Sequence, residues 1–281
     1  MPKVTANGIT INYEQQGTGE FLILIPYLSA DHACYAFQVA EYAKHFTCVS
    51  LDLRGTGESD KPQGVLTTEL YADDVAAFMQ AAGISRAHIS GLSLGAAIGM
   101  WLAAKHPDKV TSLSLHSAWT ATDAYLKTVV ESWQIMAKAL NSVPEMVIRG
   151  LFPWCLTPNL YATKSDYIQA LSDFVLSRPP MSVEAFMQQS NAVLAHDVQS
   201  QLARITAPTQ ITFGRQDHLT SLRFSEPLNS AIRNSELVIF ETCSHAPIYE
   251  SVEEFNLKTL AFLKSHADQG DLDRRARAST Q

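Results

Sequence analysis

Gly91-Leu92-Ser93-Leu94-Gly95 lies between an apolar run, Ala87-His88-Ile89-Ser90, and a helix-like run, Ala96-Ala97-Ile98-Gly99-Met100-Trp101-Leu102-Ala103-Ala104. A serine between two glycines at this spacing, joining a strand to a helix, has the form of a nucleophile elbow. So tight a turn presses the residues two before and two after the serine against neighbouring backbone, where a Cβ would clash. It lifts the hydroxyl clear of the sheet. It also puts the next residue's N–H at a helix N-terminus, where developing negative charge is stabilised. Five-residue patterns recur by chance, and the same residues also describe a strand-to-helix turn with an idle serine, so the motif depends on its surroundings.

Working outward, Asn7-Gly8 between Val4-Thr5 and Ile9-Thr10-Ile11 reads as a hairpin turn. Phe21-Leu22-Ile23-Leu24-Ile25 and Phe46-Thr47-Cys48-Val49-Ser50-Leu51 are apolar runs of the kind that form buried strands. Residues 31–44 between them are expected to be helical. Residues 70–82 have amphipathic helical spacing, with Asp73 and Asp74 placed on the outer side. A further strand is expected at Val110-Thr111-Ser112-Leu113-Ser114-Leu115. Strands alternating with helices imply right-handed crossovers and a mainly parallel sheet flanked by helices, an α/β class.

That rhythm stops after about Trp119 and resumes at Thr209-Gln210-Ile211-Thr212-Phe213 and Glu236-Leu237-Val238-Ile239-Phe240. The intervening sequence is helix-like and rich in Met, Trp and Phe. It reads as an inserted helical cap over residues 120–203, with 1–119 and 204–266 forming the core. A separate helical domain unrelated to the site is the alternative, but inserted helices must bury their apolar face somewhere. Residues 267–281 are polar, lack apolar periodicity and are expected to be disordered.

The chain has 281 residues, 46% hydrophobic and 17% charged, with a formal net charge of −7, enough for one large α/β domain or two smaller ones. No basic stripe suggests nucleic acid. No run of about 18 apolar residues suggests a membrane span, and the N-terminus lacks a signal-like apolar core. A cytoplasmic protein with no nucleic-acid or membrane partner is expected. Cys34, Cys48, Cys155 and Cys243 are scattered without a CxxC pair, so buried structural thiols are expected, with neither zinc nor disulfides.

A serine hydroxyl is a weak nucleophile until a base takes its proton, and the base needs a partner that fixes its tautomer. In this fold those groups belong on loops leaving the C-terminal ends of later strands. Residues 209–213 run into Gly214-Arg215-Gln216-Asp217, and 237–240 into Glu241-Thr242-Cys243-Ser244-His245-Ala246-Pro247. The candidates are therefore Ser93, Asp217 and His245, in that chain order. Glu241, four residues from His245, remains an alternative to Asp217. Of the other histidines, His88 precedes the elbow on its own strand, and His106 ends the following helix. His32, His45 and His266 are placed in or beside surface helices, while His116 at a strand end could line a pocket.

Together, Gly91-Leu92-Ser93-Leu94-Gly95, Asp52-Leu53-Arg54-Gly55-Thr56-Gly57-Glu58-Ser59, Phe213-Gly214-Arg215-Gln216-Asp217 and Ser244-His245-Ala246-Pro247 resemble the α/β-hydrolase superfamily. The resemblance covers about residues 4–265 and is weakest in the cap. Within it, the run from Gly91 through Pro107 and the Asp52 loop are most similar to the small esterase and lactonase group that includes 3-oxoadipate enol-lactonases. Membership of that group implies an α/β-hydrolase fold and a serine esterase or lactonase working through an acyl-enzyme, with no metal or organic cofactor. The Asp52 loop is structural in the family and receives no catalytic role. One stretch departs from the pattern: where the family usually has His-Gly after the third strand, this chain has Pro26-Tyr27-Leu28. Proline has no N–H to donate. The matching oxyanion donors are the backbone N–H groups of Leu28 and Leu94, with Tyr27 the alternative to Leu28.

Tyr27, Trp119, Tyr125, Trp133, Met136, Trp154 and Phe186 suggest a pocket for acyl or aryl groups, although such aromatics more often fasten a cap to its core. Basic residues in the cap are few, which disfavours a strongly anionic substrate and favours a neutral ester or an acylated lactone. An epoxide hydrolase or haloalkane dehalogenase would need aspartate at the elbow, against Ser93. A cofactor-free haloperoxidase shares the triad, and a non-catalytic ligand receptor could retain it. Neither the physiological substrate nor the oligomeric state is readable.

Overall fold

The computed structural model describes residues 1–267. The polar tail expected to lack structure lies, from residue 268 onward, outside the described residues. Eight strands form one sheet: β1 (Lys3–Ala6), β2 (Ile9–Gln16), β3 (Phe21–Ile25), β4 (Thr47–Leu51), β5 (Ala87–Leu92), β6 (Val110–His116), β7 (Thr209–Gly214) and β8 (Ser235–Phe240). Their order is β1-β2-β4-β3-β5-β6-β7-β8, antiparallel at β1–β2 and β2–β4 and parallel from β4 onward. Asn7 and Gly8 both have positive φ, 47° and 73°, as the hairpin turn between β1 and β2 demands.

Helices α1 (Ala36–Tyr42), α2 (Thr68–Ala81) and α3 (Leu94–Lys105) supply the crossovers between the parallel strands up to β6. Successive side chains of β3 serve opposite faces. Ile23 and Ile25 join the core that also buries α2 and α3, whereas Leu22 and Leu24 join a second cluster with Tyr35, Val39, Tyr42, Phe46 and Phe255. Strands β4, β5 and β7 are buried along their whole length, covered on both faces.

Between β6 and β7 the chain forms α4 (Ala124–Leu140), α5 (Val143–Met146), α6 (Phe152–Cys155), α7 (Pro158–Thr163), α8 (Ser165–Ser177) and α9 (Val183–Leu194), with a π-helical turn, Val147–Leu151, joining α5 to α6. Only an isolated bridge, Ala121 with Asp197, departs from helix, at the neck of this insertion. After β7 come α10 (Ser225–Ala231), then, beyond β8, α11 (Pro247–Glu250) and α12 (Val252–Ser265).

Two expectations need correction. Asp74 is not on the outer side of α2 but buried, where it pairs with Arg54 at 2.6 Å and accepts from Asn7 Nδ2 at 2.6 Å. Asp73 does face outward, to Lys105 at 2.7 Å. His32 is buried rather than on a surface helix: it opens a short 3-10 turn, and its Nδ1 lies 2.7 Å from the buried Asp52 carboxylate. The expected helix at 31–44 is thus a 3-10 turn followed by the short α1. In both places a polar side chain finds a partner distant in sequence, which apolar periodicity does not register.

Candidate active site

Ser93 sits between β5 and α3 with φ 54° and ψ −117°, a conformation sparsely populated by any L-residue. Its surroundings hold it there. Its N–H donates to His116 O at 2.9 Å, and its carbonyl accepts from Ala96 N at 2.8 Å. A Cβ on Gly91 would lie 2.3 Å from the Gly95 carbonyl carbon, and one on Gly95 would lie 2.1 Å from Ile25 O. The two glycines therefore let the elbow fold back on itself and rest on the end of β3. Tyr35 completes the joint: its hydroxyl donates to Ile25 O and accepts from Leu92 N, both at 2.9 Å.

The chain leaving β3 at Pro26-Tyr27-Leu28 consequently passes beside the elbow. Leu94 is the first residue of α3, so its N–H has no partner within the helix. The Leu28 N–H makes no hydrogen bond among the described residues. The Tyr27 hydroxyl turns to the Tyr249 hydroxyl at 2.8 Å, and Tyr249 in turn donates to Cys34 O at 2.8 Å. Burial raises the pKa of both phenols, so both stay protonated.

Asp217 and His245 leave the ends of β7 and β8, and their loops are fastened together. Gln216 N donates to Cys243 O at 2.9 Å, and Arg215 N to Phe240 O at 2.9 Å. Gly214 permits the crossing, because a Cβ there would fall 1.9 Å from Ser244 O. The His245 Nδ1 lies 2.9 Å from Asp217 Oδ2, with both side chains buried. Asp217 also accepts from Leu219 N at 2.7 Å, from Thr220 N at 3.1 Å and from the Thr220 hydroxyl at 2.8 Å. Burial alone would raise the Asp217 pKa, but the facing imidazole and these donors outweigh it and hold the carboxyl below its usual value. An ionised Asp217 fixes the proton on His245 Nδ1, leaving Nε2 as the acceptor. Glu241 is excluded as the partner: it sits on the surface, paired with Arg215 at 2.7 Å.

His116 does not line the pocket. It is buried between Ser90 Oγ (3.1 Å) and Thr212 Oγ1 (2.8 Å), and desolvation lowers its pKa to about 3, so it is neutral. Three groups that bear on the site carry no sequence signal of their own. Thr220 Oγ1 reaches both members of the Asp217–His245 pair, Ser117 Oγ donates to His245 O at 2.8 Å, and Glu250 accepts from Ser244 N. A hydroxyl or a carboxylate a few residues from a loop histidine is too common to be singled out.

Ser93 and His245 open into one chamber beneath the helical insertion. Of the aromatic residues expected there, Tyr27, Trp119 and Trp133 line it. Tyr125, Met136, Trp154 and Phe186 do not: Trp154 packs edge-on against the exposed Tyr125 at 6.1 Å, Met136 lies against Gly150, and Phe186 is wholly buried. The lining comes instead from aliphatic side chains such as Leu126, Val130, Leu151, Leu171 and Val193, with Phe152 and Phe174. No Asp, Glu, Lys or Arg is among its residues.

All four cysteines are buried, Cys243 included, and each is a free thiol. Among the described residues no helix is long and apolar enough to cross a membrane. Asp31, His32 and Asp52 place ligand atoms within 4.8 Å of one another, but Asp31 is paired with Arg178 at 2.8 Å, and Asp52 already accepts from His32, Asn12 and Glu58. This group is a buried ion network rather than a metal centre.

The family model for the alpha/beta hydrolase fold matches residues 17–252. A putative carbamate hydrolase RutD from Azorhizobium caulinodans is 25% identical over 268 residues, covering 93% of this chain and 98% of its own. A 3-oxoadipate enol-lactonase 2 from Acinetobacter baylyi is 26% identical over 271 residues, with 93% and 96% covered. Among solved structures, Est816, described as an N-acyl homoserine lactone degrading enzyme, superposes with a TM-score of 0.79 at 26% identity, covering 93% of this chain and all of its own.

Proposed function

This chain belongs to the alpha/beta hydrolase fold family, and from that premise we propose that it is a serine hydrolase of uncharged carboxylic esters, acyl lactones included. Ser93 attacks the ester carbonyl while His245 Nε2 takes its proton, and Asp217 holds the imidazolium that forms. The N–H groups of Leu94 and Leu28 stabilise the oxyanion. His245 then protonates the departing alkoxide and activates the water that frees the acyl-enzyme. No metal or organic cofactor enters these steps. The observation that carries the reading is the buried 2.9 Å contact of His245 Nδ1 with Asp217, facing the same chamber as the strained Ser93.

The substrate class follows from the lining. Burying an ionised carboxylate without a partner is costly, and the chamber offers no cation. An anionic lactone such as that named for the Acinetobacter relative is therefore disfavoured, and a neutral ester or acylated lactone preferred. The lactone-degrading Est816, at 26% identity, supports the same direction. A lactone's alkoxide stays tethered to the acyl-enzyme, so the apolar chamber must hold it away from back-attack. The helical insertion of residues 120–203 acts in this reading as the substrate-selecting cap.

A panel of p-nitrophenyl esters, γ-lactones and N-acyl homoserine lactones, read by proton release, tests the proposal. Sustained turnover that falls by roughly 10³-fold or more in Ser93→Ala is expected, since the oxyanion hole and binding alone leave only a residual rate. Unchanged turnover in that variant would remove the mechanism. A stoichiometric burst without turnover would indicate a ligand receptor, and activity only with peroxide and halide would indicate a haloperoxidase.

A further inference from the structure

We infer that Gln189, on an inserted helix and outside every catalytic motif, is a positioning residue for the oxyanion hole. The inference rests on the Leu28 donor proposed above. Gln189 lies on α9 and is fully buried, and its Oε1 accepts from Ser29 N at 2.7 Å. Ser29 has φ 66°, a left-handed conformation that a non-glycine residue keeps only where its surroundings impose it.

The geometry of two successive peptides explains the consequence. The Leu28 N–H belongs to the Tyr27–Leu28 peptide, whose carbonyl, Tyr27 O, accepts from Ala30 N at 3.1 Å. The next peptide, Leu28–Ser29, is held at both ends: Ser29 N donates to Gln189, and Leu28 O accepts from Ser29 Oγ at 2.5 Å. Without the Gln189 acceptor, Ser29 N would be a buried or half-buried donor with no protein partner. Rotation of that peptide would relieve it and loosen the Tyr27–Ala30 turn, whose first peptide carries the Leu28 N–H. The side chain of a helix inserted 160 residues later thus fixes the direction of a backbone donor at the elbow.

The other end of the amide strengthens the argument. Gln189 Nε2 is buried and faces the Tyr71 hydroxyl without a well-formed hydrogen bond, while that hydroxyl donates to Arg54 O at 3.2 Å. An apolar side chain of similar shape would leave no donor to satisfy at this end. A residue that forgoes stability at one end while anchoring a catalytic loop at the other has the profile of a functional side chain.

Gln189→Met keeps the volume and removes the acceptor; Gln189→Glu keeps an acceptor. Misplacing one oxyanion donor should lower kcat of the methionine variant roughly 10- to 100-fold with KM little changed, somewhat less than outright loss of a donor. Its Tm should change little, since the donor left free at Ser29 and the donor removed beside Tyr71 act in opposite directions, and the glutamate variant should recover most of the rate. Selective [15N]leucine labelling should show the Leu28 amide resonance displaced in Gln189→Met, a readout independent of any ester. A kcat within twofold of the native value, or a loss of rate matched by a fall in Tm, would overturn the inference. If the native protein turns over no ester, the proposed function fails on its own, and an unmoved Leu28 resonance then overturns the positioning role separately.

Discussion

The strand ends and the helical insertion both line the chamber, yet they specify it by different physics. At the strand ends, position is set by backbone against backbone. Gly91 meets Gly95, Gly95 meets Ile25, and Gly214 meets Ser244, each at a distance no Cβ could occupy. In the insertion, Leu126, Val130, Leu151, Leu171 and Val193 meet the cavity through flexible aliphatic groups, and packing of this kind tolerates exchange among residues of similar volume. In the proposed reading, reaction chemistry rests on short motifs, whereas substrate choice rests on tertiary packing.

The sharpest way to break this contrast is a single methyl group. Gly95→Ala places a Cβ 2.1 Å from Ile25 O and 2.9 Å from its carbonyl carbon, with no rotatable group to yield. Separating the elbow from β3 should abolish activity or prevent folding outright, a loss in the exceptional range above about 4 kcal/mol. Gly99→Ala, four residues on in the same helix, meets Leu113 Cδ1 at 3.2 Å and otherwise only ordinary contacts with Ile89 and Leu115 side chains at 3.6 and 3.8 Å, so a small shift of the Leu113 side chain should let the variant fold and turn over ester. Activity and Tm of the two purified variants decide the matter. If both behave alike, backbone contact is not what sets the elbow.

An acid titration probes both regions together, because each contains a buried neutral histidine. His116 lies in the sheet with its pKa lowered by burial to about 3, and His196 lies at the neck of the insertion with its pKa lowered by burial to about 4. His196 is held between Thr68 Oγ1 at 2.8 Å and Trp119 O at 3.2 Å. In the unfolded chain both would bind a proton near pH 6.5. Their stabilising contribution is therefore complete above that pH and lost as pH falls toward their folded values. Glu250, whose pKa burial raises, acts in the opposite sense in this range, and His32, whose pKa is raised by its hydrogen bond to the Asp52 carboxylate, does so only above about pH 6.5. The comparison is accordingly made by difference. His116→Gln and His196→Gln should each remove about 1.4 kcal/mol per pH unit of slope between about pH 4 and 6, read from urea unfolding at several pH values. An unchanged slope in His196→Gln alone would mean that the neck opens to water while the sheet does not.

The same contrast governs how much of the molecule is readable from its sequence. The strands, the Asn7-Gly8 hairpin and the Ser93, Asp217 and His245 placements are legible because each rests on local periodicity, a turn or a strand-end position. The errors fall where a polar side chain finds a distant partner. Asp74 pairs with Arg54 and His32 with Asp52, and no window of neighbouring residues contains that information. The aromatic residues of the insertion fail for a related reason. Helical spacing says that Met136, Trp154 and Phe186 are apolar but not which neighbour each will meet, and they pack within or upon the insertion instead of facing the chamber. Gln189 lies furthest from recognition, since its partner Ser29 is defined only by the closed tertiary structure.

The smallest expected effect concerns selectivity. Phe174 on α8 lines the chamber, and together with Tyr27 and Val175 it also borders a second cavity that holds Arg178 and Asp31. It is partly exposed, with the Arg178 guanidinium 5.9 Å from its ring centre. Truncating it joins the two cavities and lengthens the apolar space without touching Ser93 or His245. Because one methylene in an apolar pocket is worth roughly 1–3 kcal/mol, Phe174→Ala should shift kcat/KM by roughly tenfold toward longer acyl chains. Trp154→Ala, which removes core packing and an edge contact with Tyr125 outside the chamber, should lower Tm and leave chain-length preference alone. Hydrolysis rates for butyryl, octanoyl and dodecanoyl p-nitrophenyl esters, compared across the two variants, separate a residue that selects substrate from one that merely packs. Equal shifts in both would place selectivity in the overall seating of the inserted helices rather than in the side chains that face the ester.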